Sequence, residues 1–145
     1  MSLKSNKLLT GASYAIVLWI VGFVWGMVVF MIPPLRDVPS IPHVSKLPVV
    51  SLVLLPLYLV MLWYFARRYL ASTPAKAAEG LKFGVVLVLV TIVLDAFVYA
   101  LLFGSGDYFA FLSIWIAYAM FVLVPWFVGR HLKQAHDLDL QATTA

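Results

Sequence analysis

The chain has 145 residues, of which 64% are apolar and only 11% are charged. A soluble domain carries about a quarter charged residues, and a disordered chain combines low hydrophobicity with high charge, so the composition argues against both classes. The chain has no cysteine, which excludes disulfides, thiol catalysis, iron–sulfur clusters and thiolate zinc sites. Its net charge of +4 is scattered along the chain, so we expect no nucleic-acid partner.

Four apolar segments are long enough to cross a bilayer, which takes roughly 20 apolar residues in a helix. The sequence predicts helices at residues 8–32, 47–70, 74–104 and 108–133. Unpaired backbone groups in lipid cost several kcal/mol each, so a crossing segment has to be helical. We therefore predict an all-α integral membrane protein, a four-transmembrane-helix bundle. Its single domain covers residues 1–134, and a short polar cytoplasmic tail follows at 135–145.

Lysine and arginine residues predict the orientation of this bundle, because they favour the cytoplasmic side. Eight of them flank the ends that carry the termini and the connection between the second and third helices, namely Lys4, Lys7, Arg67, Arg68, Lys76, Lys82, Arg130 and Lys133. Only Arg36 and Lys46 flank the other ends. We therefore expect a multi-pass protein of the inner (plasma) membrane with both termini in the cytoplasm.

In general layout the chain resembles small bacterial four-helix inner-membrane proteins. The small multidrug transporters share this layout, but their essential acid lies in the first helix. The first helix is uncharged here over residues 8–32, so their function is not carried over to this chain.

Asp95 is the one charged residue in the apolar part of the third predicted helix. A charged carboxylate at this depth costs about 2.5–3.5 kcal/mol, so we expect it to face protein or water. Thr91 and Tyr99 lie four residues to either side of it and share its helix face. These three residues form the candidate intramembrane polar site. It is either a proton- or cation-coupling site or a structural acid that ties two helices together.

Glycine pairs with the GxxxG spacing occur in two of the predicted helices. Gly22 and Gly26 lie in the first helix, and Gly80 and Gly84 lie at the start of the third. Such pairs let helix backbones approach closely. We expect them to be helix-packing residues, either within the bundle or at the face of a homo-oligomer.

Two prolines lie inside predicted helices, and a proline-rich loop joins the first helix to the second. Pro56 and Pro125 each free a backbone carbonyl four residues earlier, so both are predicted to be helix kinks. The loop at residues 33–48 holds five of the eight prolines, which is typical of a stiff, extended segment. This loop either covers the helix ends tightly or offers an apolar edge to a partner.

Two pairs of similar segments suggest an internal duplication. Residues 64–70 resemble 126–132, and residues 23–26 resemble 97–100. The bundle then consists of two tandem helical hairpins. Chance similarity between apolar, aromatic-rich segments is the alternative interpretation.

The sequence carries no recognisable catalytic or metal-binding motif. His43, His131 and His136 lie outside the predicted helices and on opposite sides of the membrane, so we expect no metal or haem site and no cofactor. We find no nucleophile–base arrangement, no glycine-rich phosphate loop and no paired intramembrane carboxylates, so we do not expect an enzyme.

The sequence therefore favours a non-enzymatic accessory, assembly or interaction subunit of a membrane complex. Its partners are then the lipid bilayer and either another membrane protein or a second copy of the chain. A small proton- or cation-coupled transporter or channel that uses Asp95 is the first alternative. A lipid or quinone binder with an aromatic-lined groove is the second.

Overall fold

The structure is a computed structural model that describes residues 3–36, 45–71, 76–104 and 106–144. In chain order, its elements are α1 (Leu3–Met31), α2 (Pro48–Leu52), α3 (Leu54–Leu70), α4 (Lys76–Asp95), a π-helix (Ala96–Leu102), a 3₁₀-helix (Gly106–Ala110) and α5 (Leu112–Thr144). Every regular element in these ranges is helical, which confirms the predicted all-α class.

Four segments of the structure are long and apolar enough to cross a bilayer. We call them the first to fourth spans, and they are Lys7–Met31, Val49–Leu70, Ala77–Tyr99 and Leu112–Lys133. Many large apolar side chains on these spans are exposed on the outside of the bundle. A surface of this kind is suited to lipid and not to water.

The helix boundaries differ from the predicted ones at several points. The second span is interrupted at Val53, between α2 and α3. Pro56 is the third residue of α3, where the missing proline N–H would have no partner within the helix. The predicted kink at Pro56 is thus a break that precedes this proline. The predicted start of the third helix, at residue 74, and residues 37–44 of the proline-rich loop lie outside the described residues.

The third and fourth spans also differ from the expected single α-helices. The third passes into the π-helix directly after Asp95, and the fourth begins at Leu112, after the 3₁₀-helix. Helix α5 then continues to Thr144, through most of the segment predicted as a polar tail.

Helices α4 and α5 approach each other closely at the glycines of α4. A Cβ atom on Gly84 would lie 2.7 Å from Cα of Val122 and 2.8 Å from the carbonyl oxygen of Phe121, and one on Gly80 would overlap the carbonyl oxygen of Pro125. Pro125 lies inside the continuous helix α5 and cannot donate to the Phe121 carbonyl. The Phe121 carbonyl, which Pro125 leaves without its helical donor, therefore packs against Gly84.

The two ends of the bundle are built differently. Helix α4 packs against α1 and α5, and α3 packs against the same two helices. Towards the end where α1 begins and α3 ends, which we call the terminal end, buried apolar side chains fill the space between the helices: Ala15, Leu18, Leu62, Ala66, Leu70, Phe83, Leu87 and Val128. Tyr69 stacks on Phe83 there at 4.3 Å between ring centroids. The opposite end, where α1 ends and the 3₁₀-helix lies, is called the loop end.

Candidate functional site

Asp95 is the last residue of α4, and only 3% of its surface is exposed. Its Oδ1 atom accepts a hydrogen bond of 2.8 Å from the indole Nε1 of Trp19 in α1. Its Oδ2 atom accepts one from the hydroxyl of Tyr118 in α5. Side chains from two other helices therefore converge on one carboxyl group.

The same carboxyl lies on the wall of a partly open cavity of about 140 Å³ at the loop end. All four spans contribute to this wall. Its polar part consists of Asp95, Thr91, Ser45, Ser51, Ser113 and the tyrosines Tyr58, Tyr99, Tyr108 and Tyr118. No lysine, arginine or histidine lines the cavity in the described part of the chain.

The three residues that the sequence singled out all line this cavity, but they make different contacts. The Thr91 hydroxyl donates to the carbonyl of Leu87 in its own helix at 2.8 Å. The Tyr99 ring stacks on Tyr108, with 4.1 Å between ring centroids and an interplanar angle of 7°. Asp95 alone of the three is bonded to side chains from the first and fourth spans.

A π-helix begins immediately after Asp95. The bond from the Phe103 N–H to the Val98 carbonyl, at 3.1 Å, joins residues five apart and closes this segment. Tyr99, inside the π-helix, is buried and stays on the cavity wall. The π-helix thus carries the chain from Asp95 to the end of the third span while keeping Tyr99 beside the carboxyl on the cavity wall.

The glycine pair of α1 has a different environment from the pair of α4. Gly22 and Gly26 both line the cavity. A Cβ atom on Gly22 would overlap the hydroxyl of Tyr58 in α3. Nearby, the indole Nε1 of Trp25 donates to the carbonyl of Val50 in α2 at 3.2 Å. The absence of a side chain at Gly22 thus makes room for a tyrosine, whereas Gly80 and Gly84 contact a helix backbone.

Trp19, Tyr58, Tyr108 and Tyr118 are site residues that sequence reasoning missed. A weak signal was present, because Tyr118 lies well inside the fourth span. Membrane tyrosines prefer the interfaces, and a buried tyrosine hydroxyl needs a hydrogen-bond partner. A tyrosine at this depth could therefore have been matched to Asp95, the acid within the third apolar segment.

No protein-family model, curated protein or solved structure shows a significant match to this chain. The cavity itself offers one carboxyl group, several hydroxyl groups and an aromatic wall. A carboxyl in such a place can bind and release a proton, or pair with a cation. These two capacities define what the site can do chemically.

Proposed function

We propose that the chain is an integral membrane protein of the transport class, in which Asp95 exchanges a proton and a cation inside the cavity. The observation that carries this proposal is the position of the Asp95 carboxyl on the cavity wall. A purely structural acid could be enclosed by the helices that it joins. An ionisable residue within a span is a functional site by default, particularly where it faces a cavity.

The shape of the bundle supports a carrier more than an open channel. Leu18, Leu62 and Leu87 are fully buried, and each lies four residues from a cavity-lining residue, in the direction of the terminal end. These leucines belong to the buried apolar cluster on that side of the cavity. A cavity that lies towards one end of a bundle, with packed apolar side chains towards the other, has the form expected for one state of an alternating-access carrier.

The accessory or assembly role stays a prediction from the sequence, and so does the binding of a lipid or quinone. Neither role needs an ionisable group on the wall of a cavity. The buried carboxyl therefore favours the transport proposal over both, and it is the group to be tested.

Proton exchange at Asp95 can be measured by infrared titration of the full chain in lipid nanodiscs. We expect a carboxyl C=O stretch band that decreases as the pH is raised and that Asp95→Asn removes. Asp107→Asn is the matched control, because Asp107 is exposed and does not line the cavity. This control is expected to keep the band. If the intensity of the Asp95 band does not change with pH over the whole range in which the protein is folded, proton exchange is contradicted.

Transport can be measured in proteoliposomes that contain a trapped pH-sensitive dye. A panel of inorganic and organic monovalent cations is added outside, and proton movement in the opposite direction is recorded. We expect at least one of these cations to move protons with the wild-type chain and with Asp107→Asn, but not with Asp95→Asn. If Asp95→Asn transports as the wild type does, Asp95 is not the coupling group.

A further inference from the structure

We infer that the ligand of this cavity is a small monovalent organic cation, an ammonium group on an apolar body about as large as one benzene ring. This inference rests on the proposed function and names the substrate class of the same site. Four properties of the cavity lead to it: the charge of its wall, its aromatic rings, the lack of a full set of metal ligands among the described residues, and its volume.

The charge of the wall matches a cation with a single positive charge. Asp95 is its one carboxyl group, and no basic side chain lines it in the described ranges. The titratable groups that face Asp95 from the surrounding elements are Tyr58, Tyr99, Tyr108 and Tyr118. Tyrosine side chains are neutral near pH 7. An ionised Asp95 therefore gives the wall one negative charge, and one ammonium group neutralises it.

Aromatic rings dominate the rest of the wall. Eight of the lining residues are Trp, Tyr or Phe, and all four spans contribute some of them. Phe23 stacks on Trp19 at 5.1 Å between ring centroids, beside the carboxyl that Trp19 binds. The faces of aromatic rings attract cations within about 6 Å, and rings grouped around a cation are the usual way to recognise ammonium groups. Rings and a carboxyl together therefore suit an ammonium ligand.

The site is poorly suited to a divalent metal ion. Hard cations take several oxygen ligands, whereas one nearest partner of Asp95 is the indole Nε1 of Trp19, which can only donate. Within the described residues, no group of three His, Asp or Glu side chains lies together. An organic cation does not need such a ligand set, because its charge is spread over an ammonium group that rings can contact.

The volume of the cavity indicates the size of the part of the ligand that it encloses. At about 140 Å³ it is close to the volume of about 150 Å³ that holds a benzene molecule in a protein interior. Leu54, Leu55 and Phe121 provide apolar surface on the wall. The ligand thus combines one ring, or an aliphatic group of that size, with the ammonium group that pairs with Asp95.

Binding of this ligand is coupled to the loss of one proton. With its proton bound, the Asp95 carboxyl is neutral and offers no charge to an ammonium group. As the cation enters, the carboxyl O–H bond breaks, the proton passes to water, and the carboxylate pairs with the cation. One positive charge enters and one leaves, so the charge in the cavity stays balanced.

The test uses the purified full chain in detergent, with benzylammonium as the probe. Benzyl alcohol is its neutral counterpart of the same shape, and sodium is the inorganic control. We expect benzylammonium to bind at least about tenfold more tightly than benzyl alcohol by calorimetry. In weakly buffered solution it is expected to release up to one proton per molecule bound, and its apparent affinity is expected to fall as the pH is lowered. Asp95→Asn is expected to remove both the preference for benzylammonium over benzyl alcohol and the proton release.

A pair of variants at Tyr99 tests the aromatic wall. Tyr99→Phe keeps the ring, so we expect its affinity for benzylammonium to stay within about twofold of the wild type, whereas Tyr99→Leu is expected to lose about fivefold. Near-ultraviolet circular dichroism verifies that both variants are folded. The wild-type comparison of the three probes does not depend on either variant.

Each result has a distinct meaning for the two proposals. Equal binding of benzylammonium and benzyl alcohol, or no binding of benzylammonium at all, overturns the organic-cation inference. Proton release by sodium without release by benzylammonium overturns the inference and leaves the proposed function standing. Failure of the Asp95 infrared band to titrate overturns the proposed function itself.

Discussion

The Asp95 carboxyl connects three helical spans at a single point. Trp19 of the first span and Tyr118 of the fourth bind different oxygen atoms of the same side chain. Hydrogen bonds to an ionised carboxylate contribute about 1.5–3 kcal/mol each, and those to a neutral carboxyl about 0.5–1.5 kcal/mol. A buried donor left without an acceptor costs about 1–3 kcal/mol. The residue therefore stabilises the bundle whether or not it also carries a proton.

Asparagine and leucine substitutions at position 95 separate the hydrogen-bonding role of Asp95 from its capacity to carry a proton. Asp95→Asn keeps an acceptor for the Trp19 indole, and the Tyr118 hydroxyl can accept a hydrogen bond from the new amide N–H, so we expect a loss of unfolding free energy of at most about 1 kcal/mol. Asp95→Leu removes both acceptors and is expected to destabilise the bundle by about 2–5 kcal/mol. Thermal unfolding in detergent, followed by tryptophan fluorescence, measures both. A leucine variant as stable as the wild type would show that the two donors do not depend on Asp95.

The centre of the site could be predicted from the sequence, but its partners could not. Asp95 is conspicuous because it interrupts a long apolar segment. Trp19 lies 76 residues away from it and Tyr118 lies 23 residues away, and the sequence holds 22 aromatic residues that could have turned inward. Which of them face the acid depends on how each helix rotates when the bundle packs, and helical periodicity in one sequence does not determine this.

At the scale of the helices, glycines with the same spacing serve two purposes. In α4, a side chain at Gly80 or Gly84 would meet the backbone of α5. In α1, a side chain at Gly22 would meet the end of the Tyr58 side chain. A backbone cannot move without separating the helices, whereas a side chain can turn aside. The α4 pair therefore controls helix packing, and the α1 pair controls the shape of the cavity.

Alanine substitutions distinguish these two purposes. We expect Gly84→Ala to destabilise the bundle by about 1–3 kcal/mol through overpacking against α5. Gly11→Ala is the matched control, because its Cβ atom would lie 3.1 Å from a Val86 side-chain atom, which can shift. Gly22→Ala is expected to change thermal stability less than Gly84→Ala does, and to weaken benzylammonium binding because Tyr58 moves into the cavity. Equal melting temperatures for Gly84→Ala and Gly11→Ala would contradict the close approach of α4 and α5.

The positions of the helices could be predicted from apolar runs, and Pro56 indicated the interruption of the second span, but the π-helix in the third could not be predicted. Runs of about 20 apolar residues require helices in lipid whatever their neighbours are, so the four segments were visible in the sequence. The π-helix begins directly after Asp95, whose carboxyl accepts hydrogen bonds from the distant residues Trp19 and Tyr118. Such contacts leave no local pattern in the sequence.

Over the whole molecule, most basic residues and the closely packed part of the bundle lie at the same end. Eight of the ten lysine and arginine residues flank the terminal end, where the spans are also closely packed. Some of them lie over aromatic rings, such as Arg130 over Trp126 at 4.9 Å and Lys7 over Tyr69 at 6.0 Å. Basic and aromatic residues together are typical of a membrane interface. If the terminal end is cytoplasmic, the cavity lies towards the outside of the cell.

Single cysteines test this orientation without background labelling, because the chain contains none of its own. Asp107, at the loop end, and Lys133, at the end of the fourth span, are both exposed. We expect a membrane-impermeant maleimide to label Asp107→Cys in intact cells, and to label Lys133→Cys only after the membrane is permeabilised, because basic residues favour the cytoplasmic side of a membrane. Labelling of a detergent-solubilised sample verifies that both thiols react. The reverse pattern would place the cavity on the cytoplasmic side, and Asp95 would then exchange its proton with the cytoplasm.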